Sequence, residues 1–440
     1  MQVKIGQLLQ RPFAQHVLVL SSGTALAQAI SVLSAPVLTR LYGPEVFGLF
    51  AIFVAVASPI AAVACLRYEM AIMLPDEETG EAENLVVLGS LIALILGCAT
   101  WVATAGWGQA FARMLGNPAL GGWLQLISPV VASQGIYLVC RTWALRTKRF
   151  TLVRRALVTN TGSQSAFQTA GGILSAGSLN GLILGQVVGS VIGAATLALP
   201  VIRGEGRRFA HAVTARGMWD VARRYQDFPL FQTAGTVVNA FSQQWVVVLI
   251  GALFGVTAAG LYGVGQRVLN TPLALVGGAV ADVFFERAAR DKRLGTAGTS
   301  SLQVVRVLGV LALVGAIPLM ILAPAGCALL FGEPWREAGV YLRILTPLFV
   351  FRFAISPLAR SFSVYEKQLA GLVWQIGMIA AGIGSIFLGY VLESVYLGLV
   401  AYTVSGVVMY LIMLDLCLRY GGSSPWDLFR LSAQVAQRRG

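Results

Sequence analysis

The stretch 23–50, GTALAQAISVLSAPVLTRLYGPEVFGLF, aligns without a gap on the stretch 235–262, GTVVNAFSQQWVVVLIGALFGVTAAGLY. The Gly-Thr pair at 23–24 falls on the pair at 235–236, and the agreement crosses an apolar segment, a turn and the next apolar segment. Chance similarity between Gly-rich apolar sequences is the alternative, but it would not hold one register over that length. We therefore infer an internal duplication.

The composition places the duplicated chain in a membrane. Of its 440 residues, 57% are hydrophobic and 12% are charged, against roughly 25% charged in a soluble domain. About 20 apolar residues cross a bilayer as a helix, and a soluble enzyme is therefore excluded. The predicted transmembrane helices lie near 16–38, 45–66, 85–106, 121–140, 156–176, 179–202, 229–253, 257–285, 303–325, 338–359, 368–390 and 394–417.

Each copy of the repeat holds six helices, so the second copy enters the membrane in the same direction as the first. Transporters with parallel repeats carry their substrate between the two halves. The sequence thus predicts an all-α integral membrane protein with twelve transmembrane helices in two six-helix lobes. The predicted domains are an N-terminal lobe 1–202, a cytoplasmic basic linker 203–227, a C-terminal lobe 228–418 and a basic amphipathic cytoplasmic tail 419–440.

Lys and Arg are unequally divided between the two sides of this bundle. The loops on the side of the termini hold 25 of them, and the opposite loops hold three, Arg40, Arg113 and Arg336. Because positively charged loops stay in the cytoplasm, both termini are predicted to be cytoplasmic. The net charge of +13 does not indicate nucleic-acid binding, which requires basic residues gathered on one face.

Polar residues recur at helical spacing within two of the apolar segments. Such residues cost free energy in hydrocarbon and should face a protein interior or a water-filled cavity. Thr236, Asn239 and Gln243 form one stripe on the seventh helix, and Thr24 and Gln28 share a face of the first helix. All five are predicted to line a substrate cavity.

Arg267 in the eighth helix is the strongest candidate for a substrate ligand. It lies about 15 Å from the outer end of its helix, and Gln266 and Asn270 are close to it in sequence. An Arg side chain keeps its charge and offers a planar fork of donors, which suits a diphosphate. Arg352 in the tenth helix is the second candidate. The alternative for both is a structural Arg that pairs with helix carbonyls or a nearby acid.

Three acids are candidates for binding a coupling proton or cation, Glu69, Asp282 and Glu286. Each has Arg close to it in sequence, so a local ion pair is the alternative. The acidic run at 76–83 is expected to be a solvated loop. Because HExxH, P-loop and similar constellations are missing, no catalytic residue, metal or cofactor is predicted.

Two further stripes favour helix packing over substrate binding. The fifth helix has amides every fourth residue, and the sixth has glycines every fourth residue, which lets helices approach closely. These residues are Asn160, Gln164, Gln168, Gly181, Gly185, Gly189 and Gly193.

Several motifs resemble the bacterial polysaccharide-exporter family of oligosaccharide flippases. They are SGTALAQ at 22–28, LTRLYGP at 38–44, RYEMAIMLP at 67–75 and QRVL at 266–269. The family-motif residues outside the cavity candidates are Arg40, Arg67, Tyr68 and Glu69.

The resemblance implies a two-lobed member of the multidrug/oligosaccharidyl-lipid/polysaccharide superfamily in the bacterial inner membrane. Such a protein moves an undecaprenyl-diphosphate-linked oligosaccharide from the cytoplasmic to the periplasmic leaflet by alternating access, for O-antigen, capsule or exopolysaccharide synthesis. Membrane lipids, a glycan polymerase and a chain-length regulator are the implied partners. The alternatives are a cation-coupled multidrug exporter of the same superfamily and a membrane-bound glycan polymerase or ligase.

Overall fold

The computed structural model describes residues 11–76, 79–272, 299–365 and 367–420. Within these ranges the chain is all-α and has twelve long helices, and each overlaps one predicted segment. They are α1 (Arg11–Leu41), α2 (Pro44–Ala62), α3 (Glu81–Met114), α4 (Ile127–Arg146), α5 (Phe150–Leu174), α6 (Leu179–Ala212), α7 (Thr233–Phe254), α8 (Val256–Pro272), α9 (Thr299–Phe331), α10 (Arg336–Ile355), α11 (Gln368–Val391) and α12 (Val395–Tyr420).

Ten helices of the described part are long and apolar enough to cross a membrane. The two long helices outside this set are α5 and α8. Helix α5 carries the amide stripe, which lowers its apolarity, and α8 is described over 17 residues. The multi-pass all-α fold that the composition predicts is confirmed.

The chain divides into two compact units, unit 1 (residues 1–252) and unit 2 (residues 253–440). The division falls near the end of α7, one helix later than the lobe boundary expected at 228. Unit 1 thus contains α1 to α6 and nearly all of α7, and unit 2 contains α8 to α12.

In unit 1, the glycine stripe of α6 packs directly on the amide stripe of α5. A Cβ atom built on Gly189 would lie 2.5 Å from Cβ of Gln164, and one on Gly193 would lie 2.5 Å from the amide nitrogen of Asn160. Real Cβ atoms do not approach other heavy atoms so closely, so these positions require glycine. The packing role expected for both stripes is observed.

The turn between α1 and α2 is anchored on the same helix pair. The Tyr42 hydroxyl donates a hydrogen bond of 2.6 Å to the carbonyl oxygen of Gln168 in α5. Gly177, in the turn between α5 and α6, has a φ of +75°, and a Cβ there would meet the carbonyl oxygen of Leu41. This turn therefore needs glycine both for its left-handed backbone and for its close approach to α1.

In unit 2, α10 is held between α9 and α12. Arg343 donates a 3.2 Å hydrogen bond to the carbonyl oxygen of Ile321 in α9. On the other side, the Thr403 hydroxyl of α12 donates to the carbonyl oxygen of Ile344 at 3.0 Å. Helix α10 therefore has a fixed position within unit 2, which matters because it carries Arg352.

Helices occupy parts of both the expected solvated loop at 76–83 and the expected linker at 203–227. Helix α3 begins at Glu81, and Glu83 is 2% exposed. Its carboxylate pairs at 2.5 Å with Arg208, which lies in the part of α6 beyond the predicted end at 202. The expectation of a solvated loop is wrong for Glu83, because Arg208 near the end of α6 neutralises its charge and lets it be buried.

A ten-residue linker helix, Ala215–Arg224, follows α6 and packs on α3. The Thr214 hydroxyl caps it by accepting from Gly217 N at 2.9 Å. The Asn84 amide of α3 donates to the carbonyl oxygens of Gly80 and Ala212 and accepts from Thr214 N, at 2.8, 3.0 and 3.1 Å. One buried side chain thus ties the end of α6 and the start of the linker helix to α3.

Replacing Asn84 should loosen this junction. Asn84→Ala removes three hydrogen bonds at about 1 kcal/mol each, so local opening of the linker helix becomes more frequent. Trypsin should then cut the detergent-solubilised protein at Arg216 up to about a hundredfold faster than it cuts the wild type. Asn180→Ala, at an exposed position of α6, is the control. Equal cutting rates for Asn84→Ala and the wild type would show that the hydrogen bonds of Asn84 do not hold the linker helix on α3.

Candidate functional site

The predicted polar stripes of unit 1 lie away from its packed core. Asn239 and Gln243 on α7 are exposed and Thr236 is half-buried. On α1, Thr24 is exposed, and Gln28 is half-buried and makes no hydrogen bond to any described residue. The side chains of Asn239, Gln243 and Thr24 are therefore accessible at the surface of unit 1, and Gln28 is partly so.

In unit 2, the structure brings three predicted residues together. Gln266 and Asn270 of α8 and Arg352 of α10 line one cavity of about 30 Å³, which is room for one or two water molecules. Its other lining residues are aromatic or apolar: Tyr262, Leu269, Leu345, Leu348, Phe349 and Tyr402. Among the described residues no Asp or Glu lines it, and Arg352 gives this lining a positive charge.

Tyrosines that the sequence analysis missed surround Arg352. The hydroxyls of Tyr262 and Tyr402 hydrogen-bond to each other, and the guanidinium of Arg352 lies within electrostatic range of both and of Tyr410. Tyr262 is one helical turn before Gln266 on α8, and the other two lie two turns apart on α12. The spacing of these tyrosines is visible in the sequence, but the spacing alone does not predict that all three lie near the same Arg.

The side-chain oxygen of Asn270 is buried and has no hydrogen-bond partner in the described part of the chain. A buried acceptor without a donor costs free energy, and the adjacent cavity has space for a water molecule. The cluster of Arg352, the amides and the tyrosines is therefore a small polar site inside unit 2 with room for water.

Arg267 occupies a different face of α8. Its side chain is exposed and is not among the residues that line the cavity of Arg352. Unit 2 thus has one guanidinium within the polar cluster and a second, that of Arg267, whose side chain is exposed outside that cluster.

The residues of the family motif form a joint between α2 and the linker helix. Arg67 has a φ of +63°, and its guanidinium pairs with Glu69 at 3.1 Å. The Cys65 thiol donates to the other Glu69 oxygen at 2.9 Å, and the Tyr68 hydroxyl donates to the carbonyl oxygen of Ala222 at 2.9 Å. Glu69 therefore has the local ion pair that was the alternative to coupling.

The remaining predicted residues are placed as follows. Arg40 is exposed in the last turn of α1. Asp282 and Glu286 lie outside the described residues, as does the tail from 421 onward. In the described part, no group of three or more His, Cys, Asp or Glu residues could hold a metal ion.

The linker helix also makes a charged contact with α3. Arg224 pairs with Glu81 at 2.6 Å, and the Tyr225 hydroxyl donates to the other Glu81 oxygen at 3.3 Å. Burial raises the pKa of the Tyr225 phenol, so this group remains a neutral donor. Glu81 therefore helps to hold the linker helix on α3.

The model of a family described as "Polysaccharide biosynthesis protein" matches residues 37–340. That range covers more than half of the chain and includes the motif joint and α8. No curated protein matches the sequence.

Among known structures, an inward-facing multidrug resistance MATE family transporter of the MOP superfamily is similar, with a TM-score of 0.70 and 14% identity over 92% of this chain and 96% of that one. The lipid II flippase MurJ in an inward closed conformation gives a TM-score of 0.66 and 12% identity, over 95% and 93%. A MOP superfamily transporter from Pyrococcus furiosus gives 0.59 and 15%, over 95% and 96%. At these identities the likeness concerns the fold, which is the two-lobed fold that the resemblance implied.

Proposed function

The chain belongs to the polysaccharide biosynthesis protein family, and on that premise we propose that it is a flippase for a lipid-linked oligosaccharide. It moves an undecaprenyl-diphosphate-linked repeat unit from the cytoplasmic to the periplasmic leaflet of the bacterial inner membrane. The product feeds the synthesis of a surface polysaccharide, and both termini are cytoplasmic. A polymerase and a chain-length regulator act on the product.

The positive polar cluster of unit 2 is the observation that carries this proposal. Arg352, Gln266 and Asn270 share a cavity whose described lining residues include no acid, and Arg267 is exposed on the same helix as the two amides. A fixed positive charge attracts a diphosphate and repels a cationic drug. The proposal therefore favours a flippase over a cation-coupled multidrug exporter.

The proposed mechanism breaks no bond. Arg267 binds the diphosphate, and the side chains of Gln28, Asn239 and Gln243 donate to and accept from the polar head of the substrate, with Thr24 and Thr236 beside them. Arg352 keeps the neighbourhood of α8 positive, since its tyrosine partners are neutral. The polyprenyl tail stays in hydrocarbon while access alternates between the two leaflets.

Depletion of the protein in cells tests this proposal. Lipid-linked oligosaccharide should accumulate, and a membrane-impermeant glycan-modifying enzyme added from the periplasmic side should not reach it. Normal accessibility in a strain without a redundant exporter would contradict the flippase and would favour a multidrug exporter. Accumulation of single repeat units on the outer leaflet would instead indicate a polymerase.

A further inference from the structure

Helices α2, α4 and α6 of unit 1 surround a second, larger cavity. Its volume is about 240 Å³, and its polar lining consists of Ser58, Gln134, Gln186 and Ser190. The rest of the wall is apolar: Phe53, Val54, Ala57, Ala61, Ala62 and Val130. Gln134 and Gln186 are each the eighth residue of their helix, about 10 Å from its first residue, so the two amides lie at a similar depth.

The hydroxyls that line this cavity are already used by their own helices. Ser58 donates to the carbonyl oxygen of Val54 at 2.8 Å. Ser190 donates to the carbonyl oxygen of Gln186 at 2.9 Å. Helical serines commonly bond in this way to the preceding turn. The two serine hydroxyls therefore have no remaining proton to donate to an occupant of the cavity.

The two amides, in contrast, have unused donors. The side-chain oxygen of Gln186 accepts from the Gln164 amide at 2.5 Å, but its NH₂ group has no partner among the described residues. The Gln134 amide makes no hydrogen bond to any described residue. Each amide NH₂ offers two donors, and unpaired donors within a membrane protein cost free energy. Both side chains are half-buried, so an occupant of the cavity can reach them.

The chemistry of the wall selects a neutral, hydroxyl-rich occupant. In the described part of the chain no charged residue lines the cavity, so none of these side chains compensates a phosphate. An amide can donate to one hydroxyl and accept from another, and the apolar wall can cover C–H groups. The space far exceeds the roughly 10–15 Å³ that one water molecule requires, whereas the cavity beside Arg352 holds only one or two.

We propose that this cavity binds one sugar ring of the transported oligosaccharide, with Gln134 and Gln186 as its hydrogen-bonding residues. This proposal rests on the proposed flippase function and deepens it. In unit 1 the neutral amides of this cavity then serve the glycan, whose hydroxyls carry no charge.

The first test is Gln134→Leu, which keeps the size of the side chain and removes both its donors and its acceptor. Its translocation rate in proteoliposomes should fall about tenfold, as expected for the loss of two hydrogen bonds to neutral hydroxyls. Thr142→Val on the same helix removes a hydroxyl that bonds only within α4, and should translocate at the wild-type rate. A wild-type rate for Gln134→Leu would overturn the proposal.

A second test does not depend on the rate. A diazirine amino acid is placed at position 134 in cells that make the lipid-linked oligosaccharide, and the irradiated protein is analysed by mass spectrometry. An adduct that carries sugar mass is expected at 134 and not at position 95, where Ile95 is exposed on α3. Adducts of water alone, or of lipid without sugar, would overturn the proposal. Wild-type protein that fails to translocate would instead refute the flippase function itself.

Discussion

Arg267→Ala should lower translocation of the lipid-linked oligosaccharide at least a hundredfold while the protein remains folded in the membrane. The guanidinium is exposed on α8 and can bond a diphosphate through two parallel donors. Such charge-assisted bonds contribute about 3 kcal/mol, which corresponds to roughly a hundredfold in binding. The measurement is the initial rate at which labelled glycan reaches the outer side of proteoliposomes.

Arg336→Ala is the matched control for this substitution. Arg336 is also an exposed Arg of unit 2, and it lies outside the polar cluster, where its guanidinium pairs with Glu333 at 2.6 Å, so its loss should leave the rate unchanged. Arg267→Lys keeps the charge without the planar fork and should retain a part of the activity. A wild-type rate for Arg267→Ala would remove Arg267 from the proposed substrate site.

Gly189→Leu should prevent stable folding of unit 1. A Cβ at this position would lie 2.5 Å from the side chain and 2.9 Å from the Cα atom of Gln164, and backbone cannot move aside as a flexible side chain can. Overpacking of this kind costs 1–3 kcal/mol in well-packed cores and more when helices must separate. We expect a loss of about 3 kcal/mol or more, seen as low yield and early thermal unfolding in detergent.

The same helix offers a control for this loss of stability. Gly206 also lies in α6, and a Cβ built there has nothing within 4 Å. Gly206→Leu should therefore unfold at the wild-type temperature or slightly above it, because leucine is the better helix former. If Gly189→Leu and Gly206→Leu unfold alike, the close contact between α5 and α6 is not present in the protein.

Most of the fold was predictable from the sequence, because a membrane-spanning helix requires a long run of apolar residues. Apolar runs gave every long helix of the described ranges, and the four-residue spacing of Gly189 and Gly193 indicated the packing face of α6. What local patterns could not give were the helix ends. Helix α6 extends beyond the apolar run because Glu83, far away in sequence, pairs with Arg208.

The site was predictable only in part for the same reason. Spacing placed Gln266 and Asn270 near one another, since both lie on α8. Their meeting with Arg352 depends on how α8 and α10 pack within unit 2, and its tyrosine partners come from two helices that flank α10 in space. No periodicity pointed to the cavity at Gln134, because its lining comes from three helices that each contribute only one or two polar residues.

Translocation is measured most directly in proteoliposomes that contain the purified protein and lipid-linked oligosaccharide in both leaflets. An impermeant glycan-modifying enzyme is added outside, and the modified fraction is followed over time. With the wild-type protein the whole pool should become accessible, whereas protein-free vesicles and Arg267→Ala should stop at the outer-leaflet fraction. If the wild-type protein also stops at that fraction, it is not a flippase for this lipid.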